Sequence, residues 1–144
     1  MNSDAVIKSN VKQAVPFFEI SDMDQSLHFY IAGLGFEITN KWISEGKLRW
    51  CWLQLGSAAM MLQEFRKEGH DSQRDEGKVG IGVSIYFICE DALKIYRKAR
   101  SRNLFPKRPS VGNGMWVTGI IDPDGYKLFF ESPTSEPEET VFME

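Results

Sequence analysis

The sequence is poor in the two side chains that most often hold metal ions or cross-links in small proteins. It has only two cysteines, Cys51 and Cys89, and two histidines, His28 and His70. Each cysteine lies in an apolar run and neither is at metal-ligand spacing. We therefore expect two reduced thiols rather than a disulfide or a zinc site, which favours a reducing compartment, the cytoplasm.

Long apolar runs and long basic runs are also missing. No apolar stretch approaches the length of about 20 residues that crosses a bilayer, and residues 1–4 lack the features of a secretion signal. The net charge is −3, and phosphate binding requires clustered Lys and Arg. The composition therefore predicts a chain with neither a membrane span nor a nucleic-acid partner.

What the sequence does have is an ordinary globular balance, with 42% apolar and 26% charged residues in 144. A chain of this length can bury a core without disulfides or a structural metal.

The first half of the chain predicts one strand, one helix and three further strands. Val15–Ile20 is apolar, and Asp22 with Gln25 is typical of a helix start. The apolar face of this helix consists of Leu27, Tyr30, Ile31 and Leu34. The helix is expected to end at Gly33 and Gly35. The strands that follow are 36–42, 48–55 and 58–64, joined by short turns.

The second half predicts the same order again. A strand at 83–88 leads to a helix that begins at Glu90 and Asp91, followed by strands at 105–107, 116–121 and 127–131. The turn Asp122–Gly125 has the sequence Asp-Pro-Asp-Gly, which is typical of a tight turn. We align Ile20-Ser21-Asp22 with Ile88-Cys89-Glu90, and Leu34-Gly35-Phe36 with Asn103-Leu104-Phe105.

The predicted fold class is therefore α+β, with two βαβββ modules whose curved mixed sheets surround a cup. The segments are an N-terminal arm (1–13), the first module (14–65), a charged linker (66–81), the second module (82–132) and an acidic tail (133–144). We expect the tail to be mobile because it is polar and contains proline.

The order of motifs resembles the glyoxalase/bleomycin-resistance family, the vicinal oxygen chelate superfamily. The matching segments are Ile20–Met23 running into Phe29-Tyr30, then Leu34–Phe36, and finally Asp122–Tyr126. Within the superfamily, Ala14-Val15-Pro16 and Gly114-Met115-Trp116 are most similar to bleomycin-resistance proteins. The resemblance implies the paired-module fold over residues 14–132.

In metal-using members, ligands from three strands point into the cup, and a fourth can come from strand four. Placed on this chain residue by residue, those positions are Val15, Val83 and Phe129, with Met61 as the fourth. All four are apolar, so we predict no metal and no other cofactor. His28 and His70 fall in the helix and the linker, and Glu19 and Glu131 alone would make only a weak hard-metal site.

Strand alternation predicts an apolar, aromatic lining for the concave faces instead. Val15, Phe17, Val83, Ile85, Phe87 and Phe129 share that parity, Trp50 and Trp52 share one face of a strand, and Trp42 and Trp116 lie near strand ends. Two glutamates at the rim would attract a cationic group. The predicted ligand-binding residues are Phe17, Glu19, Trp50, Trp52, Met61, Gln63, Ile85, Phe87, Trp116, Phe129 and Glu131. For each side chain alone, plain core packing or solvation is an equally good interpretation.

The resemblance implies a homodimer that sequesters a cationic aromatic antibiotic, or a similar small molecule, without turnover. The N-terminal arm and Pro16 would exchange contacts between the chains, although Pro16 also suits an edge strand. The alternatives are a metal-dependent lyase, isomerase or dioxygenase of the same superfamily, and a partner-binding module with no small ligand. The sequence shows no catalytic residue and no nucleophile motif.

Overall fold

The computed structural model describes residues 10–65 and 79–144. The first module consists of β1 (Phe17–Ile20), α1 (Met23–Leu27), a π-helix (His28–Gly33), β2 (Glu37–Ser44), β3 (Lys47–Leu55) and β4 (Ala58–Glu64). The second consists of β5 (Ser84–Ile88), α2 (Ala92–Ser101), β6 (Ser110–Gly112), β7 (Met115–Ile121) and β8 (Lys127–Pro133). Most of the predicted arm and linker, with His70, lies outside the described residues.

Each module forms one four-stranded mixed sheet with the same strand order. The orders are β1-β4-β3-β2 in sheet 1 and β5-β8-β7-β6 in sheet 2. The first strand of each module pairs in parallel with the last, and the other neighbours are antiparallel. This arrangement confirms the α+β class and the two βαβββ modules. Among the described helices, none has the length and apolar character needed to span a membrane.

The first helix begins where the sequence predicts. The Asp22 carboxylate accepts a hydrogen bond from the Gln25 backbone N–H at 3.0 Å, and the Glu64 carboxylate accepts one from Met23 N–H at 2.8 Å. Two of the N–H groups that a helix start leaves unpaired are thus satisfied. After Leu27 the helix widens into the π-helix, in which Tyr30 is fully buried.

Both modules contribute to a single core. The rings of Phe18 and Tyr126 stack across the boundary with centroids 3.8 Å apart. Nearby, the Tyr30 hydroxyl donates to the Asp122 carboxylate at 2.6 Å in a buried site. The Tyr126 hydroxyl donates to the main-chain oxygen of Glu19 at 2.9 Å. These contacts fix the two sheets to each other.

The second module differs from the sequence alignment by one residue. α2 is capped by Asp91, whose carboxylate accepts from the N–H groups of Leu93 and Lys94, each at 3.1 Å. Asp91, not Glu90, is therefore the counterpart of Asp22. At the other end of α2, Asn103 takes the left-handed conformation (φ 60°) that Gly35 has after the first helix. At the start of the helix the second module therefore follows the first with an offset of 69 residues rather than 68, whereas Gly35 and Asn103 after the helices are 68 residues apart. The predicted strand at 105–107 forms instead at Ser110–Gly112.

The tail is packed rather than mobile. Val141 bridges Ser110 in antiparallel fashion, and Phe142 N–H donates to the main-chain oxygen of Pro109 at 2.9 Å. The Phe142 ring lies edge-on to Tyr96 and Trp116, at centroid distances of 5.9 and 5.8 Å. We call residues 138–144 the strap, because they run along the free side of β6.

Candidate functional site

The face of each sheet that is turned away from the core is the candidate site, and we call it the cup face. In sheet 1, Cys51, Leu53, Met60 and Leu62 are buried in the core, so the alternating residues of β3 and β4 point the other way. The strand pairing arranges the cup face in two rows: Phe17, Met61, Trp52 and Asn40 in one, and Glu19, Gln63, Trp50 and Trp42 in the other.

Sheet 2 has an equivalent cup face. Leu128 and Phe130 enter the core, while Phe129 and Glu131 lie on the opposite side of β8. Phe129 pairs with Tyr86 and Gly119, and Glu131 pairs with Ile88 and Val117. Tyr86 and Phe129 stack with ring centroids 4.9 Å apart. Each module therefore carries an aromatic row and, beside it, a row with one carboxylate.

Ile85 and Phe87 do not lie on the cup face, so that part of the prediction is wrong. Phe87 is buried and stacks on Phe130 at 4.7 Å, and Ile85 packs against the core. The physical reason is the one-residue slip in the alignment, because a shift of one residue moves every side chain of a strand to the other face. Tyr86 and Ile88 occupy the cup face of β5 instead.

Trp116 is also on the wrong side for the predicted site. It pairs with Ser132 and Val111, both buried against the α2 side of the sheet, and its ring packs edge-on against Phe142. The predicted residues that the structure brings together on cup faces are thus Phe17, Glu19, Trp50, Trp52, Met61, Gln63, Phe129 and Glu131.

Glycine at position 119 lets the Phe129 ring lie across β7. A Cβ atom at Gly119 would be 3.0 Å from Cε1 and 3.2 Å from Cδ1 of Phe129. Such distances are shorter than ordinary carbon–carbon contacts, so a larger residue would require the Phe129 ring to shift by a few tenths of an ångström. The aromatic pair is therefore positioned by a neighbouring strand as well as by its own.

The two cup faces differ in the polar groups that accompany their aromatic rings. Glu19 and Gln63 are paired neighbours in sheet 1, next to the indole of Trp50. The Trp52 indole N–H donates to the Gln54 side-chain oxygen at 2.8 Å. In sheet 2, Lys127 pairs with Ser84 and Ile121, and the aliphatic chain of Lys107 lies near Gly119. The cup faces thus offer aromatic area with one carboxylate each and with lysines on sheet 2.

The side chains at the metal-ligand positions do not fit a divalent metal. With the corrected alignment the fifth-strand position is Ser84, not Val83, and the others remain Val15, Phe129 and Met61. Hydrocarbon, thioether and one hydroxyl are not the imidazole and carboxylate donors that such an ion needs. In residues 10–65 and 79–144, no three His, Cys, Asp or Glu side chains cluster as a metal site would require.

The two thiols are poor nucleophiles. Burial raises the pKa of Cys51 to about 11, and burial also raises the pKa of Cys89. Because the thiolate is the reactive form, both groups are largely protonated and unreactive at neutral pH. They are free cysteines rather than a disulfide.

Sequence reasoning missed Tyr86 and Ile88, and it placed Trp42 near a strand end rather than within the site. Tyr86 and Ile88 could have been found from the sequence by choosing correctly between Glu90 and Asp91 as the N-cap of α2. Taking Asp91 as the cap gives the correct side of β5.

Comparisons with known proteins agree with this geometry. The family model described as the glyoxalase/bleomycin resistance protein/dioxygenase superfamily matches residues 18–130. The structure of a bleomycin-binding protein complexed with bleomycin is 21% identical, with a TM-score of 0.61, over 86% of this chain and 100% of that chain. TnmS3, an antibiotic-binding protein from Streptomyces sp. CB03234, is 14% identical, with a TM-score of 0.67, over 88% and 100%.

A bleomycin resistance determinant encoded on the transposon Tn5 is 20% identical, with a TM-score of 0.63, over 85% of this chain and 98% of that chain. No curated protein matched the chain. At these identities the solved structures establish the fold, and the family model covers most of the sequence. The chain belongs to the glyoxalase/bleomycin resistance protein/dioxygenase superfamily.

Proposed function

We propose that the protein is a metal-independent binding protein that sequesters a flat, aromatic small molecule with a cationic group, such as an antibiotic, without chemical turnover. The observation that carries this proposal is the composition of the cup faces. Aromatic rings line them in ordered rows, and the positions where catalytic relatives need metal donors hold Val15, Ser84, Met61 and Phe129. The superfamily includes bleomycin resistance proteins, and bleomycin-binding and antibiotic-binding proteins share the fold.

The rings provide most of the expected affinity. Stacking on an aromatic side chain contributes about 0.5–1.5 kcal/mol beyond burial of the same area. Trp42, Trp50 and Trp52 supply three such surfaces on sheet 1, and the Tyr86–Phe129 pair supplies another on sheet 2. Glu19 and Glu131 give each face a carboxylate that favours a cationic group on the ligand.

We propose that the protein acts as a homodimer, with each crevice formed by cup faces of the two chains. Large apolar side chains on these faces are open to solvent in the single chain: Phe17 is 47% exposed, Tyr86 56% and Ile88 69%. Soluble monomers rarely leave large apolar patches uncovered, and a second chain would cover these side chains. The free thiols of Cys51 and Cys89 are compatible with the cytoplasm, which we propose as the location.

Titration with bleomycin, followed by tryptophan fluorescence, tests the proposal. We expect a saturable signal that Trp50→Phe and Trp52→Phe each reduce. Trp116→Phe is the matched control, because Trp116 lies on the opposite side of sheet 2 under Phe142. The absence of a saturable change at micromolar ligand would remove bleomycin as the ligand, and an equal effect of Trp116→Phe would remove the cup face as the site.

Two measurements distinguish sequestration from catalysis. Ligand recovered after prolonged incubation with excess protein is expected to be chemically unchanged by mass spectrometry. Elemental analysis of protein purified without chelator is expected to show no stoichiometric transition metal. Near-stoichiometric nickel, zinc, manganese or iron that is lost in Glu131→Gln would instead support a metal-dependent enzyme.

A further inference from the structure

The region from α2 to β6 carries a positive charge that the rest of the chain does not share. Residues 92–110 contain no Asp or Glu but seven of the 17 Lys and Arg residues, in a protein of net charge −3: Lys94, Arg97, Lys98, Arg100, Arg102, Lys107 and Arg108. Such local excess of one sign attracts an oppositely charged ligand.

Three of these cations converge on the strap. The guanidinium of Arg100 donates to the main-chain oxygen of Glu144 at 3.2 Å. That of Arg108 donates to the main-chain oxygens of Phe142 and Glu144, at 2.8 and 3.3 Å. The Nε of Arg97 is 3.6 Å from the Glu144 side-chain carboxylate. Arg97 is thus paired with a side-chain carboxylate of the strap, while Arg100 and Arg108 donate to its main-chain oxygens.

These contacts leave the arginines with donors to spare. Each guanidinium has five N–H donors, and among the described residues only NH1 of Arg100, NH1 of Arg108 and Nε of Arg97 contact the strap. The ion pair is open to water, with the Arg97 side chain 51% and the Glu144 side chain 72% exposed. Exposed pairs of this kind contribute little to stability, so a stronger anion can replace the carboxylate.

A cleft lies at the same place. It has a volume of about 490 Å³ and is lined by Tyr96, Arg97, Arg100, Ser101, Phe142 and Glu144. Its size falls within the range of small-molecule sites. Arg97 lies 5.2 Å from the centroid of the Phe142 ring, so cation and aromatic surface are adjacent.

We propose that this cleft between α2 and the strap is a second ligand site, for a small molecule that carries a phosphate group next to a flat ring. Arg97 and Arg100 bind the phosphate, Phe142 contacts the ring, and the Glu144 side-chain carboxylate is an internal competitor for Arg97. A phosphate dianion balances the excess positive charge better than one carboxylate, and guanidinium groups match phosphate oxygens in pairs. The site is on the α2 side of sheet 2 and is independent of the cup faces and of the function proposed for them.

Phenyl phosphate is the probe, titrated calorimetrically at low ionic strength into the full-length protein. We expect binding in the millimolar range or tighter, with inorganic phosphate several-fold weaker. Arg97→Gln and Arg100→Gln, which remove guanidinium groups that line the cleft, should each weaken binding about tenfold, in line with loss of a charge-assisted contact. Lys98→Gln removes the same charge from the same helix but does not line the cleft, so its affinity should stay within about twofold of wild type.

Glu144→Gln keeps the proposal testable even if an arginine variant folds poorly. Removal of the Glu144 side-chain carboxylate should strengthen phenyl phosphate binding several-fold, because Arg97 loses the anion that competes for it. The proposal is overturned by the absence of saturable binding, by weaker binding in Glu144→Gln, or by a Lys98→Gln loss as large as that of Arg100→Gln. Equal affinity for inorganic phosphate and phenyl phosphate would overturn the assignment of a ring-bearing ligand.

Discussion

At the scale of single residues, the buried hydrogen bond between Tyr30 and Asp122 joins the two modules. Burial, together with the nearby Asp122 carboxylate, holds the pKa of Tyr30 well above its usual value. Burial also raises the pKa of Asp122, and the hydrogen bond from Tyr30 opposes that rise. Asp122 further accepts from the backbone N–H groups of Asp124 and Tyr126, each at 2.9 Å. These three hydrogen bonds thus satisfy the buried Asp122 carboxylate at the boundary between the modules.

Tyr30→Phe should destabilise the protein, and more so at neutral than at acidic pH. The raised pKa of Asp122 gives a contribution that is complete below its unfolded value of 3.8 and is lost as pH rises through the folded value. Without the Tyr30 hydroxyl the folded pKa rises further, so more stability is lost as Asp122 ionises. We expect a loss of about 1.5–3 kcal/mol near neutral pH and a smaller loss at about pH 4, measured by urea unfolding.

Tyr86→Phe is the control for that experiment, because it removes the same hydroxyl from a side chain that is more than half exposed. Its free energy of unfolding should stay within about 0.5 kcal/mol of wild type at both pH values. A pH-independent loss in Tyr30→Phe would contradict the assigned role of the Asp122 carboxylate.

Gly119→Ala should destabilise the protein by about 1–3 kcal/mol, because the new methyl group forces the Phe129 ring to move. Gly112→Ala is the matched control in the same sheet, since a Cβ there has nothing within 4 Å. A double-mutant cycle with Phe129→Leu, measured by urea unfolding, isolates the clash. The penalty of Gly119→Ala should shrink in the Phe129→Leu background, and an unchanged penalty would show that the ring is not the cause.

At the scale of elements, the cap at the start of α2 fixes the alignment of the second module with the first, and this alignment gives the side of β5 that enters the core. Asp91→Ala should cost about 1 kcal/mol, because two N–H groups lose their acceptor. Glu90→Ala, one residue earlier, should leave the free energy of unfolding nearly unchanged. Thermal unfolding of the two variants measures the difference. Equal effects would be inconsistent with Asp91 as the cap and with the alignment that follows from it.

Most of the elements were predictable because their patterns are local. Alternation of apolar residues in β3, β4 and β8, the Asp22 cap and the Asp122–Gly125 turn are each readable without tertiary information. The choice between Glu90 and Asp91 was not, because an acidic residue fits either position, and only the hydrogen bonds distinguish them. That single ambiguity moved Ile85 and Phe87 to the wrong face. The residues that lie on the cup faces are Phe17, Trp50, Trp52, Met61, Gln63, Phe129 and the two glutamates, and their role in ligand binding stays a prediction.

The strap was not predictable for a different reason. Its polar, proline-containing composition is typical of a mobile tail, and its order depends on partners distant in the chain. Phe142 packs on Tyr96 and Trp116, while the Glu138 carboxylate accepts from the N–H groups of Asn113 and Gly114, each at 2.8 Å. The same long-range packing holds Trp116 on the α2 side of sheet 2, away from the face on which the sequence predicts it.

At the scale of the whole molecule, the exposed cup faces lead to a prediction about assembly. Ile88→Glu places a charge in the middle of the proposed interface and should shift the protein from dimer to monomer. Met143→Glu is the control, because Met143 is similarly exposed but lies in the strap, away from the cup faces. Sedimentation velocity measures both. A wild-type protein that is monomeric at all accessible concentrations would exclude the dimer.

The division of every strand between two faces has a consequence for how this molecule can diversify. Residues that hold the modules together, such as Phe18, Leu128 and Phe130, alternate along the same strands with residues that the core does not need. Substitutions at outward positions that do not crowd a neighbour, as one at Gly119 would, leave the shared interior intact. Natural variants can therefore acquire new binding preferences while their folding equilibrium changes little. Recognition and folding therefore depend on alternating residues of the same strands, and each property can change in evolution without the other.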